Sequence, residues 1–459
     1  MEQVSLGIEG AEHLIERGII RGNAYLLKGA PGTGKTTFGI QFIYNGALKF
    51  NEPGIILTFE QFPQQLYTDS LKFGWDLKEM ETQNRLRVLF SSPSVLLDSS
   101  NGNILRSVVN EIGAKRIYVD SLAHIKSADS RDPSRVNIYR ILNLIKGCGL
   151  TALFADEENA NSQGFEDFLF DGVIRLSYKP YGVWGRGRTI EVIKSRGQGH
   201  LSGEHSFHIC DKGIVVYPHL TVDGKKPDFG DERVSLGVSK MDKLLGGGLL
   251  KGTSCVVSGA SGLGKSLLGM QFLAVGAQKG ENGLYVSIEE HPEDRIRFSR
   301  GFSFNFPNLV SKGLISFLYR APVDLDFYEL SCAIRKSCEE KPISRLLFDS
   351  VSTLAVRIAQ EQQFRDLMYL LVDYLKSRGI TILLTDETRE LFEQPFISTH
   401  GISSIVDTAI LMRYVEVNAR MYRVFTILKS RGTPHSKDVV SYEISKEGIV
   451  AVSYTHLTL

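Results

Sequence analysis

Two strings in this sequence have the residue types that hold a polyphosphate. GAPGTGKTT starts at Gly29 and GASGLGKSL at Gly259. Both satisfy the spacing G-x-x-x-x-G-K-[ST] in full, through Gly29, Gly34, Lys35 and Thr36, and through Gly259, Gly264, Lys265 and Ser266. Each follows an apolar, strand-like run and opens a helical pattern, the setting in which this spacing carries meaning. Glycines let backbone N–H groups approach phosphate oxygens, and a helix N-terminus adds a field that favours an anion. The lysine reaches the terminal phosphates, while the hydroxyl of Thr36 or Ser266 ligates Mg2+. The expected ATP-binding set is Gly29, Gly32, Thr33, Gly34, Lys35, Thr36 and Thr37 in the first string. In the second it is Gly259, Gly262, Leu263, Gly264, Lys265, Ser266 and Leu267.

Carboxylates stand where such a site needs them. Asp120 ends the apolar run RIYVD and Asp349 ends RLLFD, the pattern of a metal-supporting Walker B acid. With Thr36 and Ser266 they form the expected Mg2+ sets. Glu60 ends IILTFE and Glu289 ends LYVSIE. Nucleotides in open α/β sheets lie at the carboxyl ends of strands, so these acids are placed to orient a water or accept a proton. The neighbours differ, because Glu289 is followed by Glu290 whereas Glu60 is followed by Gln61. An amide positions water but takes no proton, so the first site is expected to be the weaker or differently tuned one. Near the end of each half, K-S-R-G places Lys194 beside Arg196 and Lys429 beside Arg431. Paired cations suit phosphoryl charge supplied from a neighbouring subunit; a solvated basic turn is the plainer reading of the same string.

What positions these residues is a duplication. VSLGIEGAEHLIERGIIRGNAYLLKGAPGTGKTT aligns with VSLGVSKMDKLLGGGLLKGTSCVVSGASGLGKSL, so Lys265 follows Lys35 by 230 positions. Glu289 follows Glu60 by 229, Asp349 follows Asp120 by 229, and Lys429 follows Lys194 by 235. Ordered matches of this kind mark two copies of one domain. The expected boundaries are 1–220 and 234–459, joined by a polar linker TVDGKKPDFGDER from Thr221 to Arg233. Within the first copy Ala24 to Lys28, Gly54 to Phe59, Arg116 to Asp120 and Leu150 to Ala155 read as buried strands. Phe38, Phe42, Ile43 and Ala47 recur at helical spacing instead. Strands alternating with helices predict a mainly parallel sheet covered on both faces, hence two α/β P-loop NTPase domains in tandem.

Composition narrows the class. The 459 residues carry 53 basic and 52 acidic side chains, a net charge of +1 that leaves no electrostatic footprint for non-specific nucleic-acid binding. Five cysteines (Cys148, Cys210, Cys255, Cys332, Cys338) form no C-x-x-C pair, which argues against zinc and for reduced thiols. No secretory leader and no membrane-spanning run is expected, so the reading is cytoplasmic.

The assembled pattern resembles the KaiC family of RecA-like ATPases from Ser5 to about Val450. The paired P-loops, the TFEQ and SIEE strand ends, LKFGWDL, IKSRGQGHLSGEHSFHICDKGIVVYP and HGISSIVDTAILMRYVEV carry the likeness. The resemblance implies a homohexameric double ring with ATP between subunits, and Lys194, Arg196, Lys429 and Arg431 acting on a neighbour's nucleotide. It implies that the first copy is a slow ATPase that assembles the ring. The second copy would be a serine/threonine autokinase with Glu289 as general base and Ser403 and Ser404 as phosphoacceptors, the whole serving as a phosphorylation-state signalling hub. Aligning VDTAI with FDGVI sets Ser403 and Ser404 against Asp167 and Phe168, so only the second copy offers hydroxyls. Implied partners are a KaiB-like protein, or a histidine kinase with its response regulator. The ending AVSYTHLTL is unlike the family's regulatory tail, so an activator acting there is not expected. Two other classes remain open at this stage: a RecA-type DNA-dependent ATPase of recombination or repair, and a non-catalytic scaffold assembled by ATP.

Overall fold

The computed structural model describes residues 2–97, 103–126, 134–157, 165–181, 185–221, 226–358, 360–388 and 401–452. Positions 222–225 of the expected linker and the final 453–459 lie outside these. The chain forms two compact units, Met1–Pro218 and His219–Leu459. Leu220, the last residue of the expected first domain, is buried in the core of the second unit. Part of the segment read as linker packs onto that unit as well: the Lys251 ammonium lies 4.7 Å over the Phe229 ring, and Lys226 pairs with Asp373. Among the described residues no helix is long and apolar enough to cross a membrane.

Each unit is built on one nine-stranded sheet. In the first, the order is Gly213–Tyr217, Glu204–Cys210, Gly185–Ser195, Gly172–Tyr181, Ala24–Gly29, Thr151–Glu157, Arg116–Asp120, Gly54–Thr58, Leu86–Phe90. From Gly172–Tyr181 onward the strands run parallel, and the three before it continue the sheet antiparallel. The second unit repeats this order, with Ser254–Gly259 as the central strand between Thr381–Glu387 and Thr408–Val417. Period-two alternation explains the buried runs. Tyr25 and Leu27 face one core cluster with Phe38 and Phe42, while Ala24 and Leu26 face the other with Ile117 and Phe154. Both faces are covered, as apolar parallel strands require.

Two arginines near the start of the Asp-bearing strands are almost completely buried. Arg116 is 1% exposed; its Nε donates to Glu52 Oε2 at 2.7 Å, and Nη1 to the carbonyls of Ser5 (2.8 Å) and Phe42 (3.2 Å). Arg345 repeats the pattern with Glu281 (2.5 Å), Ser235 O (2.9 Å) and Phe272 O (2.7 Å). Each guanidinium also lies over a phenylalanine ring, Phe42 at 4.8 Å and Phe272 at 4.9 Å. Gly46 and Gly276 on the P-loop helices make room: a Cβ there would stand 2.6 Å from Arg116 Cδ and 2.3 Å from Arg345 Nε. Removing one partner of a buried ion pair costs about 3 kcal/mol, and less where the partner is solvated. The Glu52 side chain is 9% exposed and that of Glu281 32%. Glu52→Ala is therefore expected to lower the unfolding free energy of the first unit by about 3 kcal/mol in urea titration. Glu281→Ala should cost the second unit clearly less, and equal losses would refute burial as the cause.

Candidate nucleotide sites

Both glycine-rich strings leave the end of the central strand, turn, and enter a helix, Lys35–Phe50 in the first unit and Lys265–Gln278 in the second. Gly34 and Gly264 sit at the N-caps with φ of 105° and 92°, left-handed values that a side chain resists. Neither helix has a side-chain cap, so its first N–H groups face the turn with their hydrogen-bonding capacity in hand. Thr33 Oγ1 closes the first turn on Ala30 O at 2.9 Å. Lys35 Nζ donates to the carbonyls of Gly29 (2.6 Å) and Ala30 (3.1 Å), and Lys265 Nζ to those of Gly259 (2.7 Å) and Ala260 (2.8 Å). Burial lowers the pKa of both ammonium groups. An anion here would gain a cation held at the mouth of a ring of N–H donors. The side chains of Leu263 and Leu267 belong to the core, so these two expected residues can offer a ligand only their backbone.

The hydroxyl and carboxylate expected around a metal meet directly in the first unit, where Thr36 Oγ1 donates to Asp120 Oδ2 at 2.9 Å. Burial raises the Asp120 pKa. Register also brings Asp120 beside Thr58, on the strand whose extension carries Glu60. In the second unit the corresponding groups are joined through a third residue. Arg295 Nη2 donates to Ser266 Oγ and Asp349 Oδ2, both at 3.1 Å, and lies 3.1 Å from Glu290 Oε1. Tyr285 OH donates to the same Asp349 oxygen at 2.6 Å, and Thr385 occupies the other. Oxygen donors of this kind suit Mg2+ in both units. Sequence reading missed Arg295. Its counterpart in the repeat is Leu66, which is buried, and that mismatch is the signal that could have revealed it.

Glu60 and Glu289 both project from strand ends and are exposed. Glu289 Oε1 accepts from Ser350 Oγ at 3.3 Å and from Thr353, and partial burial of its carboxyl raises its pKa. That shift brings the group closer to what a proton acceptor at neutral pH requires.

The K-S-R-G cations lie elsewhere. Lys194 Nζ donates to the carbonyls of Asp167 (2.7 Å) and Phe170 (2.8 Å), and Arg196 to Phe168 O (2.9 Å). Lys429 Nζ donates to Ser403 O (2.6 Å) and Val406 O (2.7 Å), and Arg431 to Ser404 O (3.1 Å). The hydrogen bonds thus equate Asp167 with Ser403 and Phe168 with Ser404. Side-chain chemistry differs sharply between these turns: Asp167 forms an ion pair with the buried Lys28 at 2.5 Å, and Ser404 is exposed, its Oγ on Gly401 O at 2.8 Å. Ser258 replaces Lys28 in the second unit. The strands that follow both turns begin at the end of the sheet away from their own cradle. Thr408, just beyond the serines, pairs with Cys255, four residues below Gly259. That is roughly 13 Å at a rise of about 3.3 Å per residue. Gly172 likewise pairs with Tyr25, below Gly29.

Replacing Asp120 by asparagine keeps an acceptor for Thr36 and removes a charge that burial disfavours. Asp120→Asn is expected to leave the first unit as stable or about 1 kcal/mol more stable at neutral pH. That difference should shrink at acid pH, where the wild-type carboxyl is neutral. ATP hydrolysis by that unit should fall about 100-fold. Thermal melts and a phosphate-release assay in a Lys265→Ala background check both halves of the expectation, and a marked destabilisation would contradict it.

Comparison with known proteins agrees with the duplicated architecture. The family model for the KaiC ATPase matches twice, over residues 4–221 and 234–455. The circadian clock oscillator protein KaiC of Thermostichus vulcanus is 31% identical, covering 98% of this chain and 88% of the relative. KaiC of Acaryochloris marina is 31% identical and that of Synechococcus elongatus 30%, each over 96% of this chain and 87% of the relative. With two RecA-like α/β units, each bearing its own P-loop and Walker acid, this chain belongs to the KaiC family of ATPases.

Proposed function

We propose that the chain is a cytoplasmic Mg2+-dependent ATP hydrolase that works as a homohexameric double ring, and that its second unit also phosphorylates serine. The observation that carries this reading is the placement of Ser403, Ser404, Lys429 and Arg431 at the strand ends opposite their own P-loop. A nucleotide in the cradle of the same unit lies across the sheet from them. A neighbouring chain's nucleotide is the natural target, with the acceptor and its cations arriving together on one turn. Thr36 with Asp120, and Ser266 with Asp349, would hold Mg2+, which supplies charge neutralisation between the β- and γ-phosphates.

In the transfer step a serine hydroxyl oxygen attacks the γ-phosphorus, its bond to the β-phosphate oxygen breaks, and ADP leaves. Glu289 takes the serine proton, and its raised pKa and exposed position suit that role. The first unit offers Asp167 and Phe168 at the equivalent turn, so its γ-phosphate goes to water, oriented by Glu60 with Gln61. Phosphoserine would add about −1.5 to −2 charge beside Lys429 and Arg431. Such a change can alter the seam between chains and what docks there, consistent with a signalling partner of the KaiB or response-regulator kind.

Mixing variants tests the trans geometry. Chains carrying Lys265→Ala cannot donate, and chains carrying Ser403→Ala with Ser404→Ala cannot accept. Incubated separately with γ-labelled ATP, neither should label; mixed and reassembled, the Lys265→Ala chain alone should acquire label on Ser403 or Ser404. Labelling should vanish when Glu289→Gln is added to the donor. Label on separately incubated Lys265→Ala chains would overturn the proposal. Hydrolysis stimulated by single-stranded DNA would point instead to a recombination ATPase.

A further inference from the structure

The two cradles differ most at one position. Leu66 and Arg295 occupy the same place in the repeat, in the helices Pro63–Leu71 and Pro292–Ser299. Leu66 packs into the first core cluster, leaving Thr36 and Asp120 to face each other. The Arg295 side chain is 15% exposed and reaches into the space between Ser266 and Asp349. Ser266 Oγ and Asp349 Oδ2 are the acceptors that a divalent cation would use, and both already receive a proton from Nη2. Asp349 Oδ1 accepts from Thr385, so both oxygens of the carboxylate already carry a donor.

We propose that Arg295 is an internal cation that competes with a divalent metal for the second unit's nucleotide site. The guanidinium and a metal ion are drawn to the same two oxygens and repel one another there, so metal binding drives Arg295 away from Ser266 and Asp349. The structure gives it somewhere to go and little to hold it back. Glu290 Oε1 lies 3.1 Å from the same nitrogen, outside the Ser266–Asp349 pair, and the buried Nε has no acceptor among the described residues. The second unit therefore takes Mg2+ more weakly than the first, and it is the unit whose nucleotide occupancy follows the free divalent-cation level. The effect is about tenfold, the scale of one charge-assisted hydrogen bond exchanged.

This rests on the nucleotide reading, and one experiment separates the two. Full-length chains with β,γ-imido-ATP are titrated with Mn2+ and followed by electron paramagnetic resonance. Thr36→Ala isolates the second unit's metal site and Ser266→Ala the first. In the Thr36→Ala background Arg295→Leu should tighten Mn2+ about tenfold, with Arg295→Gln tightening it by a smaller factor. In the Ser266→Ala background Arg295→Leu should do nothing, whereas Leu66→Arg should weaken Mn2+ about tenfold. Mn2+ affinity that is unchanged or lowered by Arg295→Leu would overturn the proposal. Should that variant fail to fold by circular dichroism, Arg295→Gln and Leu66→Arg decide on the same criteria. A fluorescent ATP analogue titrated at saturating Mg2+ reports nucleotide independently: no binding to either unit would sink the nucleotide reading itself.

Discussion

A guanidinium with no water around it must find acceptors, and in each unit it finds them on three separate pieces of chain. Arg116 ties the Walker strand to the segment at Ser5, to the P-loop helix at Phe42 and to the carboxylate of Glu52. Arg345 does the same around Ser235, Phe272 and Glu281. The helix can approach that closely because a glycine faces the arginine in both copies. Fixing the helix against the strand sets how far Thr36 stands from Asp120 and Ser266 from Asp349, since each pair lies on those same two elements. The phosphate cradle is thereby referenced to a rigid, desolvated contact on the far side of the helix from any ligand.

With that frame held constant, several differences that bear on the sites lie at the strand ends. The P-loops superimpose in their chemistry: glycines at positive φ, an ammonium on two carbonyls, a hydroxyl in the first helical turn. What surrounds them does not. Leu66 against Arg295, Gln61 against Glu290, and Asp167 against Ser403 all lie outside the anchored helix and strand, where a substitution changes a site without loosening the core. Duplication followed by such edits yields two sites with one fold and different surroundings.

Much of this was legible from residues alone, for physical reasons. The central strand Ala24–Gly29 and the Walker strand Arg116–Asp120 are apolar because both faces are buried, and burial leaves a plain mark on a sequence. The P-loops were legible because their spacing is imposed by the shape of a phosphate. Thr151–Glu157 runs further than the expected Leu150 to Ala155, since it ends on acids that resemble a loop. The stretch around Leu220 and Phe229 is polar on average, which hides two apolar anchors from a composition-based reading. Arg116 and Arg345 were invisible for a different reason: a lone arginine at a strand start reads as solvent-exposed, and its partners lie dozens of residues away. Arg295 escaped in the same manner, as a charge in the first turn of a polar helix. The Lys194 and Lys429 strings stand out in the sequence, but only the strand register shows which end of the sheet these lysines occupy.

One small feature of the first unit bears on how such a chain could keep information. Asp167 holds a permanent negative charge against Lys28 at the turn where the second unit carries serine. Under the proposed chemistry the second turn is writable and the first is read-only. A partner able to read both turns would therefore meet one constant mark and one variable one. The molecule carries its own calibration standard, fixed by genetic coding instead of by enzymatic history.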